Sequence, residues 1–372
     1  MNAVAGFRPQ RAVRAAKERA PASPRLALLG TGTVGVAFVE RYQRLQSRGL
    51  VLPRVAWLAN SRSVQTCGEG VAAALEQANA APRREVVLQG WAEAEALQAG
   101  DIVVDATASE LVADWHAEWL ARGVSVVTAN KLGHGSLLAR SQAIVDAQCQ
   151  TGARYGDSAT VGAGLPLLGS LRALVAGGDR IHSVEGVLSG SLAWLLGRYD
   201  GSQPFSACVR EAAAAGYTEP DPRIDLSGED VRRKLLILAR AADLSLRGED
   251  IAVESLVPRA LAQLPLDDVE AALQQLDAPL AERFRAAHRE AARLRFVGRF
   301  DAQGGGVGLR ALPSDHPLCG GGGTDNRVAI FSDRYPDQPL VVQGPGAGVE
   351  VTAAALLDDV LAIAAAKAGA MS

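Results

Sequence analysis

From Arg25 onward, short apolar runs alternate with longer stretches whose apolar residues recur every three or four positions, the signature of buried parallel strands joined by helices. Leu26 to Leu29, Val55 to Ala59, Asp101 to Asp105 and Val124 to Val127 predict strands, and Glu110 to Ala121 predicts a helix between the last two. Past the glycine-rich stretch Arg154 to Pro166 the style changes. Ile181 to Leu188 predicts a strand, Phe205 to Ala215 an Ala-rich helix, and Asp267 to Arg293 a charged helical run. Leu294 to Phe300, Val307 to Leu312, Val328 to Ser332 and Pro339 to Val342 predict a separate sheet, and Val351 to Ala366 a closing helix.

The turn after the first strand reads Gly30-Thr31-Gly32-Thr33-Val34-Gly35 and opens a helix that runs to about Gln46. Each glycine has a physical task in a dinucleotide-binding loop: a tight turn at Gly30, close backbone approach to a pyrophosphate at Gly32, and helix-on-strand packing at Gly35. The free N–H groups of the helix N-terminus then face the phosphates. An NAD enzyme ordinarily ends its second strand with an acid for the ribose hydroxyls, but here the strand ends in Asn60-Ser61-Arg62. Neutral and basic groups suit a 2′-phosphate, so NADP is expected, with NAD accepted; an ordinary surface Arg is the plainer reading. Thr107-Ala108-Ser109 and Asn130-Lys131 follow strand ends, where open α/β sheets bind ligands, and are cofactor-site candidates beside a reading as simple loop punctuation.

The densest chemistry lies in Gly216 to Arg240, GYTEPDPRIDLSGEDVRRKLLILAR. Ser227 reads as the N-cap of a helix, with Asp230 at the acid position of a capping box. At about 100° per residue, Glu229, Arg232, Arg233 and Arg240 share a wet arc with Leu236 as its one apolar intruder. Asp230 and Lys234 instead fall among Val231, Leu235, Ile237, Leu238 and Ala241. They are either a surface i,i+4 pair or an inward-facing ammonium with its counter-ion, which needs a chemical reason. Glu219 and Asp225, in the turn before, offer carboxylates to the ammonium of an amino-acid substrate. Ser189-Gly190-Ser191 opens a helix, and Gln343 to Gly348 is a late glycine turn that reads as a return to the first domain or as a hinge.

Composition narrows the class. The 372 residues suffice for two domains, and 48% hydrophobic with 21% charged residues is ordinary for a soluble protein. A net charge of -3 gives no electrostatic case for nucleic acid, so a small-molecule substrate is expected. Cys67, Cys149, Cys208 and Cys319 form no CxxC pair and suit a reducing, cytoplasmic location. No apolar run reaches membrane length. Residues 1–24 carry Arg8, Arg11, Arg14, Lys17 and Arg19 against Glu18 alone, either an organellar targeting segment or a disordered basic tail. Of the histidines, His316 before Pro317 and a glycine run is expected near a site, and the others are expected to be structural.

Taken in order, GTGTVG, VVTANKLG, TVGAGLP, LSGSLAWLLG, GYTEPDPRIDLSGEDVRRK and GPGAGVEVTAA resemble the homoserine dehydrogenases, above all the dehydrogenase half of the bifunctional aspartokinase–homoserine dehydrogenases. The resemblance covers Leu26 to about Ala366. It implies an α/β protein: a Rossmann dinucleotide-binding domain over 25–155, and a second α+β domain over 156–343 for substrate binding, catalysis and dimerisation. The segment 344–372 would return to the first domain. The implied reaction is the NAD(P)-linked interconversion of L-homoserine and L-aspartate 4-semialdehyde, in threonine and methionine biosynthesis. Lys234 and Asp230 would be the catalytic pair, with Lys131 beside nicotinamide and substrate, Glu219, Asp225 and Ser191 at the substrate, and Gly30 to Gly35 and Gly348 at the cofactor. A monovalent cation would sit on backbone oxygens of Val161 and Ala163, in a stretch that by itself also fits a plain hinge. A homodimer or homotetramer is implied. Three positions depart from the pattern: Ile224 stands in place of an acid, Ser158 in place of the cation-site acid with Asp157 one residue away, and Leu132 in place of a second Lys. No kinase half is expected within the 372 residues. Two other functions compete. One is an aspartate-semialdehyde dehydrogenase, which needs an activated nucleophilic Cys. The other is an idle Rossmann protein that binds dinucleotide without turnover.

Overall fold

The computed structural model describes residues 24–82 and 97–369; the basic N-terminal segment lies outside them. The first domain is a six-stranded sheet of β1 (Arg25–Leu29), β2 (Arg54–Ala59), β3 (Val64–Thr66), β4 (Ile102–Asp105), β5 (Ser125–Thr128) and β6 (Tyr155–Gly156) in the order β3-β2-β1-β4-β5-β6. All neighbours are parallel except the β2–β3 hairpin at the edge. The chain leaves β1 toward β2 on one side and later resumes at β4 on the other, so β1 and β4 flank the crevice where such sheets bind ligands.

Alternation along β1 explains its burial on both faces. Leu26 and Leu28 join a cluster with Phe38 and Val39 of α1 (Thr33–Ser47) and Ala74 and Ala78 of α2 (Val71–Ala80). Ala27 and Leu29 point the other way, to Val112, Trp115 and Trp119 of α3 (Glu110–Ala121) and Ile144 of α4 (Leu138–Thr151). The last helix, α13 (Val349–Gly369), packs with the first of these layers: Ala353, Leu356, Leu357, Val360 and Ile363 share the cluster of Leu26, Leu28 and Phe38.

The second domain holds α5 (Leu167–Ala176), β7 (Ile181–Val187), α6 (Gly190–Arg198), α7 (Phe205–Ala214), α8 (Pro222–Leu226), α9 (Glu229–Ala241), β8 (Ile251–Val253), α10 (Arg259–Ala262), α11 (Leu266–Ala272), α12 (Asp277–Arg289), β9 (Ala292–Asp301), β10 (Gly304–Pro313), β11 (Asp325–Ser332) and β12 (Leu340–Pro345). Its sheet runs β12-β11-β7-β9-β10-β8 and is antiparallel except at β10–β8. One large cluster spanning Val184, Phe296, Leu235 and Phe205 joins sheet to helices.

The helical run expected over Asp267 to Arg293 is divided into α11 and α12, joined by a 3-10 turn over Leu273–Leu276. Pro279 can sit only in a first helical turn, so a new helix starts at Asp277, whose carboxylate also accepts hydrogen bonds from Ser206 N (2.7 Å) and Oγ (3.0 Å). The run ends at Ala291, left-handed at φ 53°, and Ala292 already pairs in β9.

The N-cap expected at Ser227 also shifts. Gly228 takes that place with φ 81°, a conformation that favours glycine, and a Cβ there would meet Phe296 at 2.8 Å. Ser227 instead donates to Ile224 O (2.8 Å) and accepts from Glu229 N (3.2 Å). Asp230 caps nothing; its charge in the first turn suits the helix dipole, and its oxygens go elsewhere.

Candidate active site

At the carboxyl ends of β1, β2 and β4 lies a cleft of about 460 Å³ lined by Gly30, Thr31, Gly32, Asn60, Ser61, Arg62, Thr107, Ala108 and Ser109. Gly30 has φ 95°, and a Cβ on it would meet Ala106 O at 2.8 Å. A Cβ on Gly35 would meet Gly30 O at 2.0 Å, whereas one on Gly32 would meet nothing within 4 Å. The loop is therefore packed tight on the protein side and open on the side of the cleft. Thr33 and Val34 form the first turn of α1, behind the loop, and Gly348 and Lys131 lie outside the lining. No acid ends β2: Asn60 Nδ2 donates to Thr31 Oγ1 (2.8 Å), and Arg62 spends one N–H on Asn79 O (2.8 Å).

Deeper in, loops of the two domains meet. Asn130 donates to Ser109 O (2.8 Å) and accepts from Leu132 N (3.1 Å), which ties the Lys131 loop to the rim of the cleft. Lys131 Nζ stands 3.2 Å from Asp230 Oδ1, and Lys234 Nζ stands 2.9 Å from Asp230 Oδ2. Lys234 is 7% exposed and also donates to Leu188 O (2.7 Å), leaving one of its three N–H groups for a ligand. Asp230, at 40% side-chain exposure, faces the opening. Burial alone would raise its carboxyl, but the ammonium groups of Lys234 and Lys131 outweigh that and hold it well below the usual carboxylate range. The surface-pair reading of Asp230 and Lys234 fails on this geometry.

The turn acids assemble beside them. Asp225 accepts from Ser191 Oγ (2.8 Å) and from the backbone N–H of Glu219 (2.8 Å), so Ser191 and Asp225 form one unit that shapes the turn, with Glu219 exposed at its edge. Thr218 Oγ1 is buried with no hydrogen-bond partner, a hydroxyl that sequence reasoning missed. Ile224 is 56% exposed on the same short helix.

Family models extend over both domains: homoserine dehydrogenase over residues 166–361, and homoserine dehydrogenase, NAD binding domain, over 30–156. Homoserine dehydrogenase of Emericella nidulans is 34% identical over 364 residues, 91% of this chain and 97% of that protein. The chain belongs to the homoserine dehydrogenase family. A bifunctional aspartokinase/homoserine dehydrogenase 1, chloroplastic, of maize is 43% identical over 263 residues, 70% of this chain but only 29% of that protein. Among solved structures, a Candida auris protein described as of unknown function shares 35% identity and a TM-score of 0.81 over 92% of this chain and 98% of that one. The matched NAD binding domain, residues 30–156, takes in nearly all of the cleft's lining.

The rival aspartate-semialdehyde dehydrogenase reading needs an activated Cys for thioester formation. Cys67, Cys208 and Cys319 are buried, which pushes their thiols up, and no Cys lines the cleft. His316, expected near a site, is 3.3 Å from Glu185 and accepts from Leu318 N in the second sheet, a structural role. His116 is buried between Asp105 (2.9 Å) and Tyr155 OH (2.9 Å) under the first sheet's loops.

Around Val161 and Ala163, both buried, three successive residues are left-handed: Gly162 (φ 73°), Ala163 (φ 46°) and Gly164 (φ 97°). Asp157 is held bidentately by Arg172 at 2.7 Å, so despite its burial it stays below the usual carboxylate range. Ser158 meets an acid from far away in sequence: Asp359 Oδ2 of α13 accepts from Ser158 N (3.0 Å) and Oγ (2.8 Å). Burial pushes Asp359 up to about 6, against those hydrogen bonds. In the unfolded chain it would titrate near ~4. Folding therefore keeps the proton, no penalty exists below that unfolded value, and the penalty grows as pH rises through about 6. Asp359→Asn, which retains an oxygen for Ser158, is expected to gain stability over the parent as pH rises from 4 to 7, on the order of 2 kcal/mol in urea titrations. A difference that stays flat with pH would refute the assignment.

Proposed function

We propose that the protein interconverts L-homoserine and L-aspartate 4-semialdehyde with NADP, and with NAD as a poorer substitute. The observation that carries this reading is the ion cluster Lys131–Asp230–Lys234, held at 3.2 and 2.9 Å between the cofactor cleft and the turn acids. The nicotinamide, when bound, takes or returns the hydride. Lys234 donates a proton to the aldehyde oxygen as negative charge gathers there, and in the reverse direction receives the proton of the hydroxyl. Asp230 stays ionised throughout, orients the Lys234 ammonium and balances it. Lys131, at the mouth, adds positive charge toward the same oxygen. Glu219, with the Ser191–Asp225 unit behind it, receives the substrate ammonium, and Thr218 supplies a hydroxyl. The assay is direct: purified protein, L-homoserine and NADP or NAD, followed at the nicotinamide absorbance. Dinucleotide binding without turnover would favour the idle Rossmann reading.

For NADP, the support is the Asn60-Ser61-Arg62 rim. Arg62 keeps most of its N–H donors free for a 2′-phosphate. Arg62→Ala is expected to lower the kcat/KM ratio of NADP over NAD by about tenfold, roughly the worth of one charged hydrogen-bonding contact. An unchanged ratio would remove Arg62 from cofactor choice.

A monovalent cation fits the Val161 to Gly164 turn, with Val161 and Ala163 offering backbone oxygens and Asp359 the nearby carboxylate; it would fix the junction of the domains. Support for a homodimer or homotetramer comes from family resemblance, and for a cytoplasmic location from the free cysteines. No helix among the described residues is long and apolar enough to cross a membrane.

A further inference from the structure

The helix α9 was expected to turn a wet face outward through Glu229, Arg232, Arg233 and Arg240. Only Arg233 is exposed; Leu236 is 2% exposed and Arg240 is half-buried against the first domain. Arg240 lies six positions after Lys234, nearly two turns along. Its guanidinium donates to His134 O, to Ser136 O (2.8 Å) and to Leu246 O (3.2 Å). His134 and Ser136 belong to the loop that begins at Lys131. No ion pair to Arg240 is formed among the described residues: its two terminal nitrogens go to backbone carbonyls of the two domains, and its Nε is buried without a partner. Burial lowers it to about 10, as fits a cation removed from water without a counter-ion.

The loop is seated on α9 at a second point. Gly135 donates its N–H to Lys131 O (2.7 Å), and a Cβ on Gly135 would meet Lys131 O at 2.5 Å and Arg233 O at 3.0 Å. The loop is also gripped from its own domain, by Arg140 on Leu132 O (3.1 Å) and Ser136 Oγ (2.6 Å). Lys131 is thus carried by a loop that is rigid internally and bolted to the helix bearing Asp230 and Lys234.

We propose that Arg240 is a positioning residue for the reaction: by clamping the 131–137 loop to α9 it fixes Lys131 against Asp230 across the domain junction. A half-buried cation with only carbonyl acceptors is a costly way to hold two segments that apolar packing could join, and its cost is explained if the registration of Lys131 depends on it. The proposal rests on the role given above to the Lys131–Asp230–Lys234 cluster, and its test separates the two. In the full-length protein, Arg240→Lys keeps a charge but cannot span the three carbonyls, and Gly135→Ala presses on the same contact from the loop side. Amide hydrogen exchange over residues 131–137 reads the clamp without any turnover: both variants should speed exchange there by about tenfold or more, while the strands of both sheets keep their protection. Unchanged exchange in that loop would overturn the clamp whatever the substrate proves to be. With homoserine, Arg240→Lys should lower kcat on the order of tenfold to a hundredfold with NADP affinity within about twofold, and should cost nothing further in a Lys131→Ala background. A wild-type kcat, or the same loss in both backgrounds, would show that Arg240 does not act through Lys131.

Discussion

Replacing Lys234 by alanine is expected to lower kcat for homoserine oxidation by about a thousandfold, with the affinity for NADP within about twofold. The size follows from where the side chain stands. Lys234 is 7% exposed and bonded to Leu188 O and to Asp230, which leaves one N–H without a partner in the fold. On the proposed mechanism, removing it takes away the group that receives the hydroxyl proton during oxidation, and it strands Asp230 beside Lys131 alone. KM for homoserine should move much less than kcat, because the proposed reading gives the substrate ammonium to the turn acids. Steady-state kinetics with a fluorescence titration of NADPH checks both parts, and a kcat near that of the parent would reject the role of Lys234.

Gly35→Ala should abolish measurable dinucleotide binding, with Kd raised by about a hundredfold or more, and should also destabilise the first domain. A Cβ at that position lies 2.0 Å from Gly30 O and 2.9 Å from Gly30 C, both backbone atoms, so α1 must move off the loop. Gly32→Ala is the informative partner. Its Cβ meets no protein atom within 4 Å, so the variant should melt like the parent yet bind the dinucleotide poorly, because the obstruction falls where the pyrophosphate must pass. Thermal denaturation and NADPH titration of the two variants separate a packing glycine from an approach glycine. Equal affinity of Gly32→Ala and parent would mean the dinucleotide lies elsewhere.

What could be read from the chain was whatever is governed by near neighbours. The apolar run before Gly30, the spacing of Gly30, Gly32 and Gly35, and the inward position of Lys234 at 100° per residue are all local properties. What could not be read depends on distant contacts. The helical wheel sent Arg240 and Leu236 to water because a wheel sees one helix, and the first domain that covers that side is invisible to it. Helix α4 escaped notice since its buried positions include Arg140 and Ser141, which break the apolar stripe. With α2 went Asn79, which accepts from Thr31 Oγ1 (2.6 Å) and lines the cleft. The carboxylate beside Ser158 belongs to Asp359, 201 positions along, and no local signal connects them.

The packing of α13 on Leu26, Leu28 and Phe38 bears on how the protein is made. A ribosome delivers the strands of the first sheet early, yet the apolar layer that Leu356, Leu357 and Val360 cover is bare until more than two hundred further residues have been added after β5. At about 5–20 residues per second that wait is on the order of tens of seconds. The domain that starts first is finished last. Through that interval the apolar face that α13 will cover stays without it.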